Sequence, residues 1–151
     1  MEFENGGQFT KPVHGHTYLR LLHGYSWLFS GVEQELTRLG YSIGYEPGHI
    51  GQEDASKPLR MSIEMFVGEE DDDGLVEASF DLTIEETESD RGRLCYGPML
   101  GAVDIPGLDN GESEGGEILA SAPSDALIAR VADDIHQMAQ QMIPAYRDAF
   151  E

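Results

Sequence analysis

Basic residues are scarce: the 151-residue chain has nine, and only Lys11 and Lys57 are lysines. Against 29 acids they leave a formal charge of −20 and a pI near 4.3, so DNA, RNA and anionic membrane surfaces would be repelled at long range. Direct binding to any of these is disfavoured. Cysteine occurs once, at Cys95, which excludes an intramolecular disulfide and fits a reducing compartment. Only Arg91 and Arg93 lie near it in sequence, so it reads as a small buried hydrophobe rather than an activated nucleophile. No run reaches the roughly 18 apolar residues that span a bilayer. The opening MEFENGGQFTKP lacks the basic-then-apolar order of a signal peptide. A soluble, cytoplasmic protein is expected. Also missing are G-x-S-x-G, the Walker loop and G-x-G-x-x-G, the usual signatures of hydrolases, nucleotide sites and dinucleotide sites. No motif names a reaction, so a non-enzymatic protein without a cofactor is favoured.

What is present is enough for one core. With 40% apolar and 9% aromatic residues, the chain reads as a single domain over residues 1–151, with 1–13 as an irregular N-terminal segment. From Thr17, a stripe with a step of three or four residues runs through Leu19, Leu22, Ser26, Phe29, Val32, Leu36 and Leu39, apolar except at Ser26, which predicts a helix. The S-x-x-E box at Ser30–Glu33 and the glycines Gly24 and Gly31 predict a kink or a break near Ser30. Residues 41–58 are dense in Gly, Pro and Ser and read as a loop with at most a short strand over Tyr41–Tyr45.

Strict alternation then predicts strands over residues 59–67 and 76–85, joined antiparallel through GEEDDDG by a turn longer than the tight two-residue kind. A third short strand is expected at Leu94–Tyr96 or Met99–Val103, and residues 104–117 read as an exposed, mobile acidic loop. Ser124 caps a second long helix with its buried stripe at Leu127, Ile128, Val131, Ile135, Met138 and Met142. Pro144 should stop or kink that helix around residues 141–143. The expected fold is α+β: an antiparallel sheet of three to four strands, with an N-terminal helix or kinked pair and a long C-terminal helix packed on one face.

Charge is unevenly placed. Residues 61–117 carry 17 acids and two bases, and between Met61 and Asp90 twelve acids occur without a base. Adaptation to high salt would spread acids over every exposed surface; a concentration in the middle of the chain points to a dedicated face. Glu77, Asp81 and Glu85 recur on one side of the second strand at intervals of about 13 Å. Glu64 on the neighbouring strand and Glu69, Glu70, Asp71, Asp72 and Asp73 at the hairpin tip extend the array. These nine carboxylates are the candidate partner-binding residues. Their counterpart would be a basic protein surface, above all the Lys/Arg-lined groove of a nucleic-acid-binding protein. In size and charge the chain is similar to the small acidic nucleic-acid mimics that phages and mobile elements direct against restriction and CRISPR systems. DDDG does not extend into an EF-hand loop.

Two further readings compete. The chain is similar in outline to the small, acidic, dimeric type III secretion chaperones, and an adaptor of that kind would use an apolar surface at Leu21, Trp27, Leu28 and Phe66. The other is a metal-dependent enzyme on His14, His16 and His23, the one concentration of transition-metal ligands in the chain. The string His14-Gly15-His16-Thr17-Tyr18 resembles the HGHNY zinc-binding strand of the 6-pyruvoyl-tetrahydropterin synthases, a resemblance that implies zinc on His14 and His16. It covers five residues: no histidine precedes His14, no cysteine stands upstream, and a helical period follows where that family has a strand. Membership is rejected, and the histidines read as ordinary hydrogen-bonding residues of a loop and a helix start.

Overall fold

The computed structural model describes residues 19–51, 58–88, 90–101, 103–109 and 111–150. The N-terminal segment 1–13 therefore lies outside the described residues. Residues 19–24 are helical, Tyr25 interrupts, and α1 follows at Ser26–Arg38. Five strands come next: β1 (Ser42–Gly51), β2 (Leu59–Asp71), β3 (Gly74–Glu88), β4 (Arg91–Met99) and β5 (Ser113–Leu119). The chain closes with α2 (Asp125–Phe150). The strands form one antiparallel meander in the order β1-β2-β3-β4-β5. The α+β class is as expected, but the sheet is larger than three or four strands.

The two extra strands are those whose sequence looks like loop. β1 spans Ser42–Gly51 despite Gly44, Pro47 and Gly48, accommodating them with a register shift between Pro47 and Ile50. β5 occupies the end of the segment read as a mobile loop, and a second register shift sits opposite Leu94 and Cys95. The strand expected at Leu94–Tyr96 or Met99–Val103 is β4, which covers Arg91–Met99 as one element. The β2–β3 connection is also shorter than predicted: Asp71 pairs with Gly74, leaving Asp72 and Asp73 as a two-residue turn. The Asp71 carboxylate closes that turn by accepting from the Asp73 amide at 2.7 Å, as short polar side chains do in turns.

The helix break falls at Tyr25 rather than near Ser30. Ser26 Oγ donates to the His23 carbonyl at 2.9 Å, and Tyr25 leaves the helical region with ψ 17°. Gly31 has a packing role inside α1: a Cβ there would lie 2.5 Å from Ile128 Cδ1, so its absence lets α2 approach. Leu21, Tyr25, Leu28, Phe29, Val32 and Leu36 are buried, and Leu39 is exposed. On α2, Ser124 Oγ accepts from the Leu127 amide as predicted.

Burial alternates along the central strands. Met61, Ile63, Met65 and Val67 of β2 and Ala78, Phe80, Leu82 and Ile84 of β3 are buried beneath the helices. Their alternates form the opposite, helix-free face. Side-chain ties hold α2 to the sheet: Tyr96 donates to Asp134, and Tyr41 Oη bonds His136 Nδ1 at 2.9 Å. Burial and the Asp134 carboxylate push the Tyr96 phenol up to about 12.

α2 runs through Pro144 without stopping, contrary to the sequence reading. A proline in a helix interior costs about 3 kcal/mol relative to alanine, but the turn beyond it is anchored. Tyr146 Oη donates to the Met99 carbonyl at 3.3 Å, and Arg147 donates to the Glu69 carbonyl and pairs with Asp71, both at 2.9 Å. Pro144 itself is exposed, so no core contact is lost on replacing it. Pro144→Ala should therefore stabilise the protein by about 1 kcal/mol, less than helix propensity alone gives because proline also restricts the unfolded chain. A urea denaturation curve measures this.

Candidate partner-binding face

Strand pairing decides which carboxylates meet. On the helix-free face, Glu64 of β2 is paired directly with Asp81 of β3 and, on its other side, with Glu46 of β1. Three carboxylates thus stand in one row across three strands. Glu77 and Glu85 share that face four residues either side of Asp81, and Glu77 is paired with Gly68. Of the tip residues, Glu70 alternates with Glu64, whereas Glu69 and Asp71 alternate to the helix side. There Arg147 holds the Asp71 carboxylate and the Glu69 carbonyl. Asp72 and Asp73 are exposed at the turn.

The negative field is not uniform. Beyond Thr83 the cross-strand row reads Arg60, Glu85, Arg93, Glu117, alternating in sign over four strands. Arg20, from the helical run before α1, binds Glu86 through two 2.9 Å hydrogen bonds. Bases from distant parts of the sequence therefore neutralise acids in a stretch that has none of its own. Among the described residues, the uncompensated part runs from Asp81 toward the turn: Glu46, Glu64, Glu70, Glu77 and Asp81.

Directly opposed like charges destabilise a sheet, and the row shows it. Burial raises the Glu64 carboxyl above its ordinary value, and Glu46 and Asp81 push it further in the same direction. Glu46 was missed by sequence reasoning because β1 reads as loop. Glu112 was missed too: its carboxyl reaches across β4 and accepts from Thr83 Oγ1 at 2.9 Å, with Arg60 at 3.8 Å. Burial raises the Glu112 carboxyl most, Asp81 adds to the rise, and Thr83 and Arg60 oppose it.

The other predicted groups stand apart from this face or do not form a surface. Leu21 and Leu28 are 1% and 0% exposed, which removes them from the apolar patch an adaptor would use. Trp27 and Phe66 are half-buried, Phe66 on the helix-free face and Trp27 on α1. His14 and His16 lie outside the described residues, and His23 is exposed. Among the described residues, no group of three His, Cys, Asp or Glu side chains is arranged to hold a metal ion, and no helix is long and apolar enough to cross a membrane. Cys95 is half-buried, and burial raises its thiol, with Glu112 adding to the rise, so it is not an activated nucleophile. A cavity of about 360 Å³ opens between β5 and the helix starts, lined by Trp27, Ile118, Leu127 and Arg130. The Arg130 guanidinium there is engaged by the Gly115 carbonyl.

The fold and this face together define an α+β protein with a five-stranded meander, helices on one side and an anionic strip on the other. No protein-family model, no curated protein and no solved structure matches the chain.

Proposed function

We propose that this is a non-enzymatic binding protein that engages a basic partner through the anionic strip of β2 and β3, and that the partner is a nucleic-acid-binding protein whose Lys/Arg-lined groove the strip occupies. The role this reading implies is inhibition by occupancy, as in phage-type anti-defence mimics of nucleic acid. The observation that carries it is the row Glu46–Glu64–Asp81: three carboxylates paired directly across three strands, with no base among them. Such a row opposes folding, and a partner that supplies cations would relieve it. Glu77, four residues from Asp81, extends the strip at the spacing of about two strand repeats, roughly 13 Å.

The test is capture of partners from the native host with the wild-type protein and with a variant carrying Glu64→Lys, Glu70→Lys, Glu77→Lys and Asp81→Lys. The wild type should retain a basic nucleic-acid-binding protein at low salt and release it by about 0.5 M salt, where charges are screened within a few ångströms. The variant, its fold checked by circular dichroism, should bind that partner at least about 100-fold more weakly. Capture that survives both salt and charge reversal overturns the reading.

A further inference from the structure

The chain at Gly111 and Glu112 lies flat against the helix-free face of β4. A Cβ on Gly97 would stand 1.9 Å from the Gly111 carbonyl oxygen and 3.0 Å from Glu112 Cα, so the two backbones touch where β4 has no side chain. From there the Glu112 side chain reaches β3, where Thr83, only 3% exposed, donates to it. The second carboxyl oxygen, Oε2, is buried and receives no hydrogen bond from the described residues. The acidic group within hydrogen-bond reach of this carboxyl is Asp81, which as an anion has nothing to donate. The two carboxylates repel each other, and a proton on Glu112 Oε2 would let that oxygen donate to Asp81.

We propose that Glu112 is a pH-operated latch: protonated, it lies between Thr83 and Asp81 and seats residues 111–112 on β4, and loss of the proton lifts them and uncovers Thr83 and Cys95. The groups facing Glu112 set the balance. From β3, Asp81 opposes ionisation and Thr83 supports it; from β2, Arg60 supports it but stands 3.8 Å away and is largely exposed. On β4, Cys95 faces the same space, and its partner on β5, Glu114, adds negative charge.

The sign follows from the direction of the shift. The Glu112 carboxyl is raised above 4.5 in the folded protein. The folded state therefore holds the proton more tightly than the unfolded chain, and the latch is fully closed below that value. It loosens as pH rises through the folded value, the reverse of an ordinary ion-paired carboxylate.

Backbone amide exchange of the protein alone, corrected for intrinsic rates, tests this between about pH 4 and pH 8. Exchange at residues 111–113 should accelerate at least about 10-fold across the transition, while β2 and β3 amides stay protected. Glu112→Gln, a neutral side chain that can accept from Thr83 and donate to Asp81, should hold the segment closed at every pH. Asp81→Asn removes the charge that opposes ionisation and offers an amide that can donate to the ionised carboxylate, so it should shift the transition downward or abolish it. Wild-type protection that does not change with pH overturns the latch, as does a Glu112→Gln protein that opens like the wild type.

Discussion

Phe80→Ala is expected to cost about 3–5 kcal/mol, the range for removing a fully buried phenylalanine. Phe80 is 0% exposed, sits on the central strand of five and faces the helices, with Met65 of β2 and Pro98 of β4 as its lateral neighbours. Backbone hydrogen bonds pin those neighbours on both sides, so the cavity cannot close by moving β3 alone. Against a total stability of about 5–15 kcal/mol, the melting temperature should fall by about 10 °C. The neighbouring position gives the control. Asp81→Asn changes a side chain on the opposite face and removes one of three opposed charges, so it should be neutral or slightly stabilising near pH 7. Equal losses from the two substitutions would mean that the sheet is not two-faced.

Those two faces were legible in the sequence because β2 and β3 alternate apolar and polar residues almost without error. That alternation placed Glu64, Glu77, Asp81 and Glu85 on one side, as the structure does. The edge strands were not legible. β1 carries Gly44, Pro47 and Gly48, and β5 carries Gly115 and Gly116, all residues that weaken a strand's local preference. These segments become strands because a neighbouring strand offers them a hydrogen-bonding edge, a long-range cause that a local pattern does not record.

The same limit hid parts of the site. Glu46 matters because register sets it opposite Glu64, and Glu112 because a glycine 15 residues earlier leaves room for its backbone. Charge counting also overstated the uniformity of the face. Arg20 and Arg147 lie far from the hairpin in sequence, yet they reach Glu86 and Asp71, and Arg93 pairs in register with Glu85. In the helices, local signals lost to packing. The capping box at Ser30 yields to a Gly31 that admits Ile128, and Pro144 yields to the anchors Tyr146 and Arg147.

Gly97→Ala should destabilise the protein by about 3 kcal/mol, the upper end for overpacking, because the added carbon meets a backbone carbonyl rather than a pliable side chain. The sign is informative. Gly97 is not among the residues with positive φ, so alanine fits its conformation and would otherwise stabilise the chain by about 0.4–1 kcal/mol through the unfolded state. Relief can come only from the 111–112 segment moving off β4. That movement takes the Glu112 carboxyl from Thr83, exposes a side chain that is 3% accessible and leaves Glu112 free to ionise. Urea denaturation with amide exchange at residues 111–113 reads both effects: lower stability if the segment stays, faster exchange at every pH if it lifts. A variant as stable and as protected as the wild type would show that the segment does not rest on the sheet.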